Sequence, residues 1–386
     1  MPDGRDPHTV SVLASIGEVD RAAWDGCAGD DDPFVGHGFL GALEESGSVA
    51  AATGWMPRHL VARNADGRVV GCAPLYLKSH SYGEYVFDWS WAEAYERAGG
   101  RYYPKLQAAV PFTPIAGRRL LTAADAPSGT ADLLARAMVR LSERLQVSSV
   151  HVTFPTVDEW RRLGRDGWLL RAGHQFHWQN RGYRSFEDFL ADLSSRKRKA
   201  IRKERAAVAD QGVSLRTVTG GEIEEHHWDA FFRFYRDTHG RKWGQAYLTR
   251  AFFSLLGQGM ADRVMLVVAE TADRRPVAGA LNLIGRDTLY GRYWGCDAPF
   301  RFLHFEACYY QAIEFAIGRG LARVEAGAQG EHKIQRGYLP QPTYSAHWIA
   351  DPGFRRAVDR FLASERRAAD AEMRLLADAS PFRERR

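Results

Sequence analysis

Two stretches of the chain carry the same succession of apolar and polar runs. Residues 59–88 (HLVARNADGRVVGCAPLYLKSHSYGEYVFD) alternate as a strand, a turn at Asp66-Gly67, a second strand and a third. Residues 266–296 (LVVAETADRRPVAGALNLIGRDTLYGRYWGC) repeat that order. Gly71 lies 14 residues before Tyr85, and Gly279 lies 14 before Tyr293. Each glycine follows a short polar turn and opens an apolar run. The self-similarity predicts an internal duplication.

Around the second meander the pattern predicts a short amphipathic helix at Phe186–Leu193, a charged helix from about Ser195 to Asp210 and a strand Val213–Val218. Ile223–His239 places Trp228, Phe231, Phe232 and Tyr235 at helical spacing, and Thr249–Leu256 reads as another helix. Three strands follow to Gly295, then a helix His304–Arg319, strands Arg323–Ala328 and Tyr344–Ala350, and a last helix from Phe354. The first half offers helix Thr130–Leu145, strand Ser149–Phe154 and helix Thr156–Leu163 in the same order. The expected fold is α/β with mixed, largely antiparallel sheets, in two domains at residues 1–180 and 181–386.

Composition sets broad limits. With 386 residues, 45% hydrophobic and 26% charged, the chain is an ordinary globular protein, not a disordered, collagen-like or disulfide-stapled one. Aromatics at 12%, including 11 Trp, predict filled cores or an aromatic cleft. The net charge of +5 permits an anionic partner without demanding one. Cys27, Cys72, Cys296 and Cys308 show no CxxC spacing, which predicts a reduced protein. No signal-peptide pattern opens the chain, and no run approaches the ~20 apolar residues of a membrane helix. A cytoplasmic location is expected.

The order of elements resembles the GNAT acyltransferase fold, and two copies in tandem resemble the Fem-type aminoacyl transferases. The segments PLYLKSHSYGEYVFDWSWAEAY (74–95), YYPKLQAAVPFTP (102–114), SSRKRKAIRKER (194–205), LHFEACYYQAIEF (303–315) and GAQGEHKIQRGYLP (327–340) resemble the FemAB-like group of N-acyltransferases. The resemblance spans about residues 34 to 350 and implies tandem GNAT-like domains. It also implies an N-acyltransferase that moves an aminoacyl group from aminoacyl-tRNA to the amine of a small or peptide-like acceptor, with no resident cofactor. Acyl-CoA as donor is one alternative. A non-catalytic module binding RNA or a cell-wall precursor is the other.

Acyl-CoA-dependent GNAT enzymes hold pyrophosphate in a [RQ]xxGx[GA] loop before a helix, where backbone N–H groups favour an anion. Here that junction, Cys296–Leu303, contains no glycine and carries Asp297. The first-half equivalent, Trp89–Glu93, also lacks glycine. The pattern itself occurs at Arg68–Ala73, inside a hairpin, and at Arg241–Ala246, after a helix; neither is the expected position. This argues against ordinary acetyl-CoA use.

The densest charge feature is Arg196, Lys197, Arg198, Lys199, Arg202, Lys203 and Arg205, with Ala200 and Ile201 between them and Glu204 the one acid. Charge of one sign cannot neutralise itself along a helix, which points to tRNA or another polyanion; the resemblance implies tRNA, with this run as its binding element. A solvated surface helix is the alternative.

In the loop 327–338, Glu331 or His332 is a candidate base for an attacking amine, and Lys333 or Arg336 a candidate stabiliser of oxyanion charge. His304 and Glu306 open the next-to-last helix and are kept as catalytic candidates. With Cys308 they alternate around a helix, so they cannot converge on one ion and no metal site is expected. Gln329, Tyr293 and Trp294 are candidate substrate-binding residues. In the first half Asp88, Trp89, Trp91, Glu93, Tyr103 and Lys105 form a candidate acceptor pocket, with Asp88 or Glu93 binding an ammonium and Lys105 a carboxylate or phosphate.

Overall fold

A computed structural model describes residues 8–243, 246–327 and 330–383. The chain divides into two compact units. One comprises residues 1–173 and 343–369, the other residues 174–342 and 370–386. The strands Leu169–Gln179 and Leu339–Ile349 carry the chain across the division. Both units are mixed α/β with largely antiparallel sheets, and the arrangement is the tandem GNAT-like one.

In the first unit Thr9–Leu13, His59–Arg63, Val69–Ala73 and Leu121–Thr122 form an antiparallel sheet in that order. A second sheet runs Trp55–Pro57, Leu75–Lys78, Lys105–Ala108, Ser149–Thr153 and the end of Leu339–Ile349. Its one parallel pair is Lys105–Ala108 with Ser149–Thr153. The helix Thr130–Leu145 buries Leu134, Ala135 and Met138 in a core with Leu60, Ala62 and Val70.

The second unit orders Val213–Thr219, Val264–Thr271, Pro276–Ile284, Thr288–Cys296, Arg323–Glu325 and Leu169–Gln179. The pair Thr288–Cys296 with Arg323–Glu325 is parallel and the rest are antiparallel. The helix Glu225–Trp243 packs on this sheet, while Leu303–Phe305, a π-helical turn Glu306–Tyr310 and Gln311–Gly318 form one broken helix. Met265, Val267, Ala307, Tyr310 and Ile313 share the core between sheet and broken helix.

The two repeat glycines serve one purpose. A β-carbon on Gly71 would lie 2.7 Å from Thr130 Cγ2, and one on Gly279 would lie 2.9 Å from Phe231 Cδ2. Each lets a helix press against the second strand of its meander. The third strands differ. In the second unit Pro276–Ile284 pairs directly with Thr288–Cys296. In the first, Pro74 interrupts the run, and a residue without an N–H cannot continue a ladder. The chain passes from Val69–Ala73 in one sheet to Leu75–Lys78 in the other. Tyr85 then stands in a turn at φ 60°, whereas Tyr293 lies in a strand.

Candidate active site

The parallel pair of the second unit holds for only three residues, Thr288 to Tyr290 against Arg323 to Glu325. The longer strand continues to Cys296. Its register against Pro276–Ile284 slips so that Leu281 faces Tyr293 and Asn282 faces Gly291. Arg292 is the extra residue of a bulge, which bends the strand away from its short neighbour. The gap is a cavity of about 90 Å³ lined by Asn282, Arg292, Tyr293, Trp294, Ala326, and by His304, Cys308 and Tyr309 of the broken helix. The π turn supplies the last two, as one extra residue rotates the following side chains.

Around this cleft the chemistry is concentrated. The Tyr309 hydroxyl shares a 2.9 Å hydrogen bond with His332 Nε2. Burial, then Lys333 and Arg336, hold the His332 imidazole below its ordinary pKa, so it is neutral at neutral pH. His304 sets its ring against Trp294 and Tyr309. Lys333 is buried and donates to the Gly327 carbonyl at 2.8 Å. Desolvation brings its pKa down to about 7.

Tyr293, Trp294 and His304 therefore line the cleft, and His332 reaches it through Tyr309. Glu331 is exposed. Gln329 lies outside the described residues. Glu306 and Arg336 are turned elsewhere. Glu306 accepts from Arg205 Nε at 3.1 Å and Nη2 at 2.9 Å. Arg336 donates to Glu204 at 2.8 Å and covers the Phe305 ring at 3.4 Å. The sequence does not single out Tyr309, Asn282 or Arg292, and it offers Cys308 only as a metal ligand that helix geometry excludes. Their signals would have been a π turn and a bulge, and neither has a periodicity to read.

The junction before the broken helix offers little to an anion. Asp297 N donates to Val277 O at 2.8 Å, Phe300 N to Ala298 O at 3.1 Å, and Arg301 N to Gln211 Oε1 at 2.9 Å. Asp297 also stands 3.6 Å from Arg233.

The basic run is the helix Ser195–Ala209. Its inward face carries Ile201, Val208, and the half-buried Glu204 and Arg205. Arg196, Lys199 and Lys203 are exposed, at the i, i+3, i+7 spacing of one face. Arg202 is exposed and pairs with Glu187 at 2.5 Å, while Lys197 and Arg198 are half-buried. Of the seven basic residues, Arg205 is committed inward.

In the first unit the candidate acceptor charges bind each other. Lys105 Nζ lies 2.5 Å from Asp88 Oδ2, 2.7 Å from Glu84 Oε2 and 2.8 Å from Ser81 Oγ, all buried. Burial drives the Asp88 carboxyl up, but Lys105 and His151 outweigh it and hold the group well below the usual range. Burial raises Glu84 to about 7. Tyr102 donates to Asp88 at 2.7 Å, and His151 Nδ1 and His347 Nδ1 share a 2.7 Å hydrogen bond. Trp91 is buried against His347; Trp89 and Tyr103 are half-buried, and Glu93 is exposed. An ammonium–carboxylate pair this close leaves neither Asp88 nor Lys105 with an uncommitted charge for a ligand. The parallel pair of this unit is also covered. Arg119, fully buried, donates to the Thr153 carbonyl at 3.0 Å, and Gly117 N donates to Phe154 O at 3.0 Å.

Among the described residues, no helix is long and apolar enough to cross a membrane. The family model described as peptidoglycan biosynthesis/recognition, that of the FemAB-like group, matches residues 15–384. No curated protein matches the chain. Among solved structures the chain is similar to FemX, at 10% identity and a TM-score of 0.55, covering 91% of this chain and 100% of that one. It is similar to L-PGS from Bacillus licheniformis at 11% identity and a TM-score of 0.52, covering 86% and 98%. The C-terminal domain of a putative lysylphosphatidylglycerol synthetase from Agrobacterium fabrum follows at 11% and 0.51, covering 91% and 97%. At these identities the likeness is one of fold.

Proposed function

The chain belongs to the FemAB-like family, and on that premise we propose that it is an N-acyltransferase joining an aminoacyl group, delivered as its tRNA ester, to the amine of a small or peptide-like acceptor. The observation that carries this reading is the cleft of the second unit, where His304 and Tyr309, the latter hydrogen-bonded to His332, stand on the wall of the gap between diverging parallel strands.

In this reading the ester carbonyl sits in the cleft and the acceptor nitrogen attacks its carbon. The C–N bond forms, neutral His332 takes the ammonium proton, and the ribose oxygen leaves with the ester bond's electrons and a proton. Protonated Lys333 offsets the charge that develops on the carbonyl oxygen. Glu331, exposed beside His332, is the second candidate for the base.

Two features favour a tRNA ester over acyl-CoA. The backbone N–H groups of Asp297, Phe300 and Arg301 already have protein acceptors, so they do not form a pyrophosphate cradle. The exposed Arg196, Lys199 and Lys203 give one helix face a run of positive charge suited to phosphates. The family model's description, peptidoglycan biosynthesis/recognition, and the name of one similar structure, the C-terminal domain of a putative lysylphosphatidylglycerol synthetase, fit a transferase in peptidoglycan or lipid biosynthesis.

The test is a salt titration of binding to aminoacylated tRNA, with coenzyme A alongside. The reading expects a steep negative log–log slope for tRNA that flattens when Arg196, Lys199 and Lys203 become Ala, with no binding of coenzyme A. Binding of coenzyme A, together with weak and mutation-insensitive tRNA association, would overturn the choice of donor. Tight ligand binding without turnover, unchanged by Glu331→Gln or His332→Gln, would replace the enzyme with a binding module.

A further inference from the structure

The last long helix, Pro352–Asp378, buries Val358 and Leu362 on one side and leaves an exposed seam of small and apolar side chains on another. Ala357, Phe361, Ser364, Ala368, Ala371 and Leu375 follow one another at alternating steps of four and three, the a/d spacing of a coiled coil, and every one is exposed. Phe361 and Leu375 are 48% and 72% exposed, among the few large apolar side chains on the surface of the described residues.

The flanks of the seam are sorted by charge. On one edge, the g positions, stand Arg360, Arg367 and Arg374, all exposed. On the other, the e positions, stand Glu365 and Glu372. Glu365 is anchored by Arg171, with N–O distances of 2.8 and 2.7 Å, and Glu372 lies 4.0 Å from His174. The Glu365 carboxylate is thus held at the edge of the seam, and Glu372 stands exposed beside it.

From this arrangement we infer that the helix is the interface of a homodimer, pairing in parallel with the same helix of a second copy. A second copy carries the same seam, and a twofold axis brings like positions together. Parallel pairing sets Arg367 of one copy opposite the exposed Glu372 of the other, and Arg360 beside a Glu365 that Arg171 already holds, each juxtaposition occurring twice. Antiparallel pairing would oppose arginine to arginine and glutamate to glutamate. The charge pattern therefore selects the parallel form. From Ala357 to Leu375 the seam is about 28 Å long at ~1.5 Å per residue. Much of it is alanine and serine, so a reversible rather than an obligate dimer is expected.

The experiment is sedimentation equilibrium of the full chain across the micromolar range. A monomer–dimer equilibrium is expected, abolished by Phe361→Glu with Leu375→Glu while the circular dichroism spectrum is unchanged. Arg367→Glu should weaken the dimer about tenfold, and adding Glu372→Arg should restore it. Ala368→Cys should cross-link to its own copy under oxidation, because position 368 meets itself only in the parallel form. A monomer at every concentration overturns the inference, as does a dimer indifferent to Phe361 and Leu375. So does a helix whose seam substitutions instead abolish binding to phosphatidylglycerol vesicles, since the seam would then face lipid.

Discussion

Arg205 and Glu306 form a two-pronged ion pair, with Nη2 at 2.9 Å and Nε at 3.1 Å from the carboxylate oxygens, and Glu306 is almost wholly buried. Arg205 also holds Glu314 at 2.9 Å and lies over the Phe186 ring. The innermost member of the basic helix thereby anchors that helix to the broken helix of the cleft.

The basic helix should separate into two kinds of residue. Arg205→Ala leaves the Glu306 charge buried without its partner and is expected to cost about 3 kcal/mol. Arg196→Ala, Lys199→Ala and Lys203→Ala should each stay within about 0.5 kcal/mol. Each of these three should also lower the salt slope of tRNA binding by up to ~0.9, the share of one phosphate contact. Urea denaturation and salt titration of the same variants check both halves.

The cleft predicts a narrow bell in the pH dependence of kcat/KM. His332 must be neutral, and its pKa lies below the ordinary histidine value, so activity falls toward acid. Lys333 must be protonated, and its pKa is about 7, so activity falls again as pH rises through that value. Lys333→Arg should remove the alkaline limb, because a guanidinium keeps its proton. Tyr309→Phe, which unties His332, should lower kcat roughly ten- to hundredfold with little change in KM. A single pH profile measured on the three proteins decides it.

Stability should depend on pH through the buried groups of the first unit. Burial, then Lys105, depress His151 to about 3, whereas the unfolded chain takes up that proton near 6.5. Between those values the unfolded state binds more protons, so stability rises with pH. Glu84 acts in the opposite sense: burial raises it to about 7, the folded state keeps the proton longer, and its contribution falls as pH rises from about 4.5 to 7. His151→Asn should flatten the rise in unfolding free energy between pH 4 and 6.5 (approximate bounds from these pKa values), and Glu84→Gln should steepen it. Denaturation at a series of pH values reads both slopes.

Gly295→Ala should be among the more costly glycine substitutions. Its β-carbon would lie 2.3 Å from the Phe234 carbonyl of the packed helix, backbone that cannot rotate aside. A loss of about 2–3 kcal/mol is expected from overpacking. Gly221→Ala, whose β-carbon would have nothing within 4 Å, is the matched control. Thermal unfolding of the pair separates close approach from a general intolerance of alanine.

The apolar periodicity of the chain marked many of its helices and strands, because burying a face imposes a repeat of two or 3.6 on local sequence. That is why Thr130–Leu145, the basic helix and the second meander can be read directly. The periodicity passed over the helix Trp89–Arg97 and the strand Leu169–Gln179. The same local pattern drew Gly71 and Gly279 to one role, helix against strand. Tertiary structure alone decided the partners. Arg205 and Glu306 are 101 positions apart, and Asp88 and Lys105 are 17 apart. Nothing in either neighbourhood says that each charge is neutralised by the other rather than offered to a ligand. The cleft is likewise a tertiary product. It opens because one strand outruns its parallel neighbour and a bulge at Arg292 bends it, while a π turn swings Cys308 and Tyr309 inward. Bulges and π turns break periodicity, so a periodic reading passes over the residues that shape the site.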